Sequence, residues 1–374
     1  MNRRSALVQL GDLVVGRLVE DELGRIEFRL DAGYRQVRPR PVLGQWFEDN
    51  RRDSQRGDRS GAVPSYFANL IPEGELRSRI SRLHGIADHD DLGFLCTVGE
   101  DQPGTLIIRA EGDATEPRSE ATAPRPTPDK RLRFSLAGVQ LEFSLVRTSD
   151  RFTLPGPDER GAWIAKVSPT YPDLPANEWV TMEWARHTGF DVPATDLRPW
   201  SDLVDLPGEG DPDGKVFLIA RYDRTASGGR VHQEDFQQVV GRRPDKKYDD
   251  VTYDKVVLLA KAIVGSDVQA EVIRRLAFMA ASGNNDAHMK NWSLVYPDGV
   301  RAWCAPLFRR TPVWGRSPRS PRSSVRGNRG ERGSPGSMCF VTVGGPGFVG
   351  SGCWLRAAGC NVSGGDARSR GRRR

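Results

Sequence analysis

Apolar and polar positions alternate along residues 7–28, where VVGRLVEDELGRIEF sets two runs rich in β-branched residues on either side of a polar stretch at 20–24. That period, interrupted by Gly, predicts a strand, a turn and a second strand, and hence a small antiparallel sheet. The period lengthens after Pro72, Glu73, Gly74 and Glu75: in LRSRISRLHGI the apolar positions Leu76, Ile80 and Leu83 fall on one face of a helix. Asp88 and Asp90 precede a second short helix around residues 92–96, since a carboxylate ahead of an apolar run accepts from the first free backbone N–H groups.

From residue 134 to 307 strands and helices alternate. The run 163–167 in WIAKVSP reads as a strand, NEWVTMEWARHTGF as a helix that begins at Asn177 and Glu178 and ends near Gly189, and VFLIARYDR, 216–224, as a strand running into a polar segment. Helices cover 256–264 and 272–281, the second closing at Gly283. Two strands, 293–296 and 300–304, flank a Pro-Asp-Gly turn.

Composition divides this pattern into regions. A chain of 374 residues exceeds one compact core, and at roughly 100–200 residues per domain it predicts two. Residues 113–129, DATEPRSEATAPRPTPD, hold four prolines, no aromatic and no aliphatic larger than Ala, too little apolar surface to fold, so they form a linker between a domain at 1–112 and another at 130–307. Residues 308–374 carry fourteen Arg and fourteen Gly, no Lys, and the acids Glu331 and Asp366, a balance of 14 − 2 = +12. The whole chain is +6, so residues 1–307 carry 6 − 12 = −6, and the basic pI does not by itself argue for nucleic-acid binding.

The last segment reads as a disordered basic tail. Its Arg, Gly, Pro and Ser, with stray Trp and Cys, fit better a GC-rich coding sequence read out of frame. Five cysteines show neither a disulfide framework nor a metal spacing. Arg3 and Arg4 before residues 6–8 look like the start of an export signal, but Gln9 and Asp12 break the apolar run, and no stretch nears the ~18 apolar residues of a membrane span. A cytoplasmic location is the expectation.

The densest chemistry lies in AASGNNDAHMKNWSLVYPDG, residues 280–299, where a helix ends in a loop bearing Asp286, His288, Lys290 and Asn291. Phosphoryl transfer needs a carboxylate to take the acceptor hydroxyl's proton and an amide oxygen for Mg²⁺, and Asp286 and Asn291 stand five apart as those roles require. Polar loops supply such pairs by chance, and a metal site at His288 lacks a second His or Cys at ligand spacing. Lys166, alone on an apolar strand, is either a snorkelling edge residue or the lysine that meets nucleotide phosphates. Glu178, or less favourably Glu183, would pair with it. The turn at Gly138 in FSLAGVQLEFSL is a plain hairpin or a phosphate-facing loop, and residues 216–224 stand where a hinge would meet adenine.

In their order these pieces resemble the HipA family of bacterial toxin kinases: FSLAGVQ, the strand lysine, YPDLPANEW, ARYDR, HQEDFQQ, KKY and GNNDAHMKN, with YFANLIPEGELRSRIS and GEDQPGTL in the amino-terminal part. The resemblance covers residues 8–307 apart from the linker. It implies an α+β architecture, a small mainly β N-terminal domain followed by a two-lobed protein-kinase-like domain with a truncated C-terminal lobe. It also implies a serine/threonine protein kinase that moves the ATP γ-phosphate onto a protein, with aminoacyl-tRNA synthetases as the substrate class, and ATP and Mg²⁺ as cofactors. Asp286 would be the base and Asn291 the Mg²⁺ ligand. Lys166 would hold the phosphates, with Ala137, Gly138, Val139, Gln140, Ala220, Arg221, Tyr222, His288 and Lys290 around the nucleotide. Ser135 matches the family's inhibitory autophosphorylation position. The implied partner is a HipB-like helix-turn-helix antitoxin, through which DNA contact would be indirect.

Two departures stand against this. Glu142 replaces a basic residue and should repel phosphates. After Leu307 the family has an aromatic and an Asp that binds the second Mg²⁺; here Phe308 is followed by Arg309, which neither coordinates a cation nor accepts a proton. The expectation is therefore a frameshifted, inactive kinase whose helices at 256–264 and 272–281 expose apolar faces. An antitoxin-binding corepressor remnant is the alternative, and an Arg-rich nucleic-acid binder the third reading.

Overall fold

A computed structural model describes residues 4–111, 141–156, 159–168, 170–204, 211, 213–249, 252–284, 286 and 288–307. The expectations for Ser135, Ala137, Gly138, Val139, Gln140 and Arg309 fall outside these residues. Strands β1 (Ser5–Leu10), β2 (Leu13–Glu20), β3 (Ile26–Leu30), β4 (Ser54–Arg56) and β5 (Leu106–Glu111) form an antiparallel sheet in the order β4-β3-β2-β1-β5. The turn at 20–24 is present, closed by Gly24 N–H donating to the Asp21 carbonyl, with Gly24 at the positive φ of 72° that a side chain disfavours. Alternate residues of β1, namely Ala6, Val8 and Leu10, turn into the core.

Short helices α1 (Ala32–Gln36), α2 (Gln45–Asn50) and α3 (Ser65–Ala68) precede α4 (Gly74–His84) and α5 (Asp91–Val98). The cap expected before α5 is Asp90, whose carboxylate accepts from Gly93 N–H at 3.1 Å.

A second sheet follows, from β6 (Leu141–Thr148), β7 (Arg151–Thr153), β8 (Trp163–Val167), β9 (Thr195–Pro199), β10 (Leu203–Val204) and β11 (Lys215–Ala220), in the order β10-β7-β6-β8-β11-β9. Helix α6 (Leu174–His187) packs on it and starts three residues before the expected Asn177, because Pro175 needs no N–H partner in the first turn. Strand alternation sorts this sheet's side chains between two cores. Phe217 and Ile219 of β11 meet Met182 and Ala185 of α6, whereas Val216 and Leu218 join the cluster of the N-terminal domain. Ala165 and Val167 of β8 also join that cluster, so the two domains expected from the linker share one hydrophobic core.

The last part holds β12 (His232–Asp235), α7 (Phe236–Val239), α8 (Tyr253–Val264), α9 (Val268–Ala281), β13 (Ser293–Tyr296) and β14 (Trp303–Cys304), with β13 central in a three-stranded sheet. The strand expected over 300–304 pairs only at 303–304, since Asp298 Oδ1 accepts from the N–H groups of Val300 and Arg301 and holds that stretch in a turn. Helices α8 and α9 bury Val256, Ala260, Val272 and Met279 among themselves and leave Leu258 and Ile273 exposed on their outer faces. No described helix is long and apolar enough to cross a membrane.

Candidate active site

The centre of the second sheet sets the first half of the site. In the register of β6 against β8, Glu142 lies directly opposite Lys166, so both side chains leave the same face of the sheet. Glu178 reaches the same point from α6. Lys166 Nζ is 3.2 Å from Glu178 Oε2 and 3.6 Å from Glu142 Oε1, and all three side chains are buried. Of the two acids considered for Lys166, Glu178 is the one that meets it; Glu183 accepts instead from Arg186 and from Thr195 Oγ1. Glu142, expected to repel phosphates, is thus a second carboxylate on the lysine, and the three described side chains sum to 1 − 2 = −1.

The second half is the loop after α9. Asp286 N–H donates to Asn284 Oδ1 at 2.9 Å, and Asn291 Nδ2 donates to the Asp286 carbonyl and sits 3.3 Å from its Oδ2. The amide nitrogen of Asn291 is therefore turned toward Asp286. Asp286 Oδ1 accepts from the Tyr248 phenol at 2.9 Å and lies 3.4 Å from His288 Nε2. Loss of water around the hydroxyl itself and the Asp286 charge push the Tyr248 hydroxyl well above its ordinary pKa, although the residue as a whole is largely exposed. His288 is buried, with its ring against the Tyr248 edge at 5.1 Å. Lys290, also buried, donates to the Asn69 carbonyl at 2.8 Å and lies 3.3 Å from Glu73 Oε1.

A cavity beside these halves is lined by Ile164, Tyr222, Met279, Lys290, Asn291 and Leu307 among others. Lys166, Asp286 and His288 are not part of that wall. Ala220 ends β11 with its N–H donated to the Ala194 carbonyl, and Arg221 N–H goes to Ala162. The guanidinium of Arg221, expected at the nucleotide, is held by Asp223 at 2.9 Å and Asp101 at 3.1 Å. Asp101 also takes Arg224 at 2.8 Å and the Ser144 hydroxyl at 2.6 Å. Burial works against ionised Asp101, but Arg221 and Arg224 outweigh it and hold its carboxyl below the usual range. Arg230 adds bonds to the carbonyls of Gly104 and Gln102 at 2.6 Å each, so the segment after β11 is stitched to the N-terminal domain.

Sequence reasoning missed Tyr248, Glu73, Asn69 and Asp101 as members of the site. Asn69, Asp101 and Tyr248 lie in segments noted only for their family likeness and Glu73 only as part of the lead-in to a helix, and the contact from Lys290 to Asn69 spans 221 positions, beyond any local period.

The described side chains form little of a metal site. Among them no group of three or more His, Cys, Asp or Glu stands together to hold one. Asn291 could offer a Mg²⁺ ion its amide oxygen.

A small β domain fused through a shared core to a two-lobed, kinase-like domain is the class this architecture defines. A model of the HipA N-terminal domain matches residues 6–109, and one of the HipA-like C-terminal domain matches residues 134–334. The protein belongs to the HipA family. The second match runs past Leu307, so the region of likeness continues into the Arg-rich segment. "Putative kinase Y4dM" of Sinorhizobium fredii is 36% identical over 306 residues, 80% of this chain and 72% of that protein. "Putative kinase" of Haemophilus influenzae is 31% identical over 192 residues, 48% and 53% of the two chains. The fold is shared with a solved structure described as the Shewanella oneidensis toxin–antitoxin system HipA, HipB and its operator DNA complex: TM-score 0.62 and 21% identity, covering 82% of this chain and 76% of that one.

Proposed function

We propose that this protein is a nucleotide-binding kinase of the HipA toxin type, built to move the ATP γ-phosphate onto a serine or threonine of a protein, with an aminoacyl-tRNA synthetase as the substrate class. The observation that carries the reading is the buried Lys166–Glu178 pair, which lies two residues along β8 from Ile164, a residue that lines the same cavity as Asn291. In this reading Lys166 turns from its carboxylates to the phosphates, Tyr222 and Ile164 hold the base, and Asp286 accepts the acceptor hydroxyl's proton as that oxygen bonds to the γ-phosphorus and the bond from the γ-phosphorus to the β,γ-bridging oxygen breaks, with ADP leaving. Mg²⁺ bound with ATP would supply charge neutralisation on the phosphates.

Transfer by this chain is proposed to be lost. Arg309 stands where the resemblance calls for a metal-binding Asp, and Glu142 competes with phosphates for Lys166. Those two residues favour a second reading, a non-catalytic antitoxin-binding corepressor that grips a HipB-like helix-turn-helix protein and meets DNA only through it.

ATP binding and transfer are separable. Calorimetric titration of the full chain with ATP is expected to show binding that Lys166→Met removes, and no binding by the unaltered chain would end the nucleotide reading. Incubation with labelled ATP and Mg²⁺ is expected to give no transfer above an Asp286→Asn control; clear transfer would refute the inactive state. Co-purification with a helix-turn-helix protein encoded beside the gene tests the second reading.

A further inference from the structure

The loop that carries Asp286 is held by a residue far from it in sequence. Glu73, just before α4, reaches two ammonium groups: Oε1 lies 3.3 Å from Lys290 Nζ, and Oε2 accepts from Lys247 Nζ at 2.8 Å. Lys290 belongs to the 3₁₀ turn Met289–Asn291 that follows Asp286. Lys247 is the neighbour of Tyr248, whose phenol donates to Asp286. One carboxylate therefore reaches both approaches to the candidate base. Burial pushes the Glu73 carboxyl up, but Lys290 and Lys247 outweigh it and keep the carboxyl below its usual range.

Packing alone does not account for the arrangement. The Tyr248 side chain is largely exposed, at 62%, so burial does little to keep its hydroxyl on Asp286. Lys247, only 14% exposed along its side chain, supplies the nearest fixed point. On the other side, buried Lys290 would be a costly charge without an anion, and among the described residues Glu73 lies 3.3 Å from it and Asp235 3.9 Å.

We propose that Glu73 of the N-terminal domain is a positioning residue for the Asp286 loop, acting through Lys290 on one side and through Lys247 and Tyr248 on the other. Its catalytic meaning rests on the role proposed for Asp286, whereas the coupling itself does not. The N-terminal domain would then be part of the transfer machinery and not only a docking module.

Glu73→Gln keeps the shape and removes the charge. In the full chain, amide exchange at residues 288–292 and 246–249 is expected to quicken about tenfold, as for the loss of a charge-assisted contact, while β1–β3 stay unchanged. In a Lys290→Met background the same substitution should alter 288–292 by less than about twofold, while its effect on 246–249 persists. Equal quickening of 288–292 in both backgrounds, quickening spread through the N-terminal domain, or an unchanged loop would each overturn the proposal. Should Glu73→Gln fail to fold, Lys290→Met and Lys247→Met empty the same carboxylate from the other side, and a loop unmoved by both is the refuting result. ATP titration of the same samples separates the two ideas: a coupled loop in a chain that binds no ATP removes the proposed function alone, and an uncoupled loop in a chain that binds ATP removes this inference alone.

Discussion

Replacing Asp101 by Asn tests the stitching of the N-terminal domain to the segment after β11. Asp101 is buried and accepts from Arg221, Arg224 and Ser144 at 3.1, 2.8 and 2.6 Å. Without its charge, Arg221 and Arg224 share Asp223 alone, at 2.9 and 2.7 Å, with Arg230 close enough to add to the positive charge. Removing one partner from a buried ion cluster costs about 3–5 kcal/mol, because the stranded charge has already lost its water. The amide can still accept from Ser144, so the lower end of that range is expected. Urea unfolding at pH 7, followed by tryptophan fluorescence, reads the loss directly. The pH dependence has a definite sign. Burial opposes the charge on Asp101, but its arginines hold the folded-state pKa below the ordinary 3.8, so its stabilisation is present above that value and fades as pH falls through the folded pKa. The variant should therefore lose its disadvantage in acid. An Arg221→Met background should also shrink the effect, since the two residues share one network. A loss under about 1 kcal/mol at pH 7, the size of an exposed pair, would refute the account of this stitching.

Three further outcomes follow from the same geometry. Burial raises the Glu234 carboxyl to about 8, where it is bonded to the Tyr296 hydroxyl and Gln45 N–H. The stabilisation of its protonated form is complete below about 4.5 and lost as pH rises to about 8, so Glu234→Gln should flatten the fall in urea midpoint between pH 6.5 and 8. His232 has the opposite sign: burial lowers it to about 4, so its contribution fades as pH falls from 6.5 toward 4, visible as a shallower acid limb in His232→Gln. Glu142→Gln removes one of the two carboxylates on Lys166 and should tighten ATP binding roughly fivefold in titration calorimetry, and weaker binding would show that Glu142 supports the lysine instead of competing for it.

Local chemistry made several features legible in advance. The turn closed by Gly24, the Asp90 cap, the spacing of Leu76, Ile80 and Leu83, and the Asp286–Asn291 loop each depend on residues within a few positions of one another. The Glu178 pairing with Lys166 was open between two acids one helical turn and a residue apart, and it was decided by which face of α6 meets β8. Glu142 was visible as an anomaly, but its role needed the register of β6 against β8. The start of α6 moved to Leu174 because a proline that looks like a break is tolerated in a first turn.

Sequence alone, then, determined the order of elements, the chemical types gathered in the candidate loop and the family to which they point, since periodicity, caps and motif spacing act over short stretches of chain. Tertiary structure alone decided that the two domains share a core, that Asp101 anchors Arg221 and Arg224, and that Glu73 and Asn69 hold Lys290 across 217 and 221 positions, as 290 − 73 and 290 − 69 give. Those contacts join segments whose separation along the chain leaves no periodic trace, and they form because a buried charge must find its partner wherever the fold brings one.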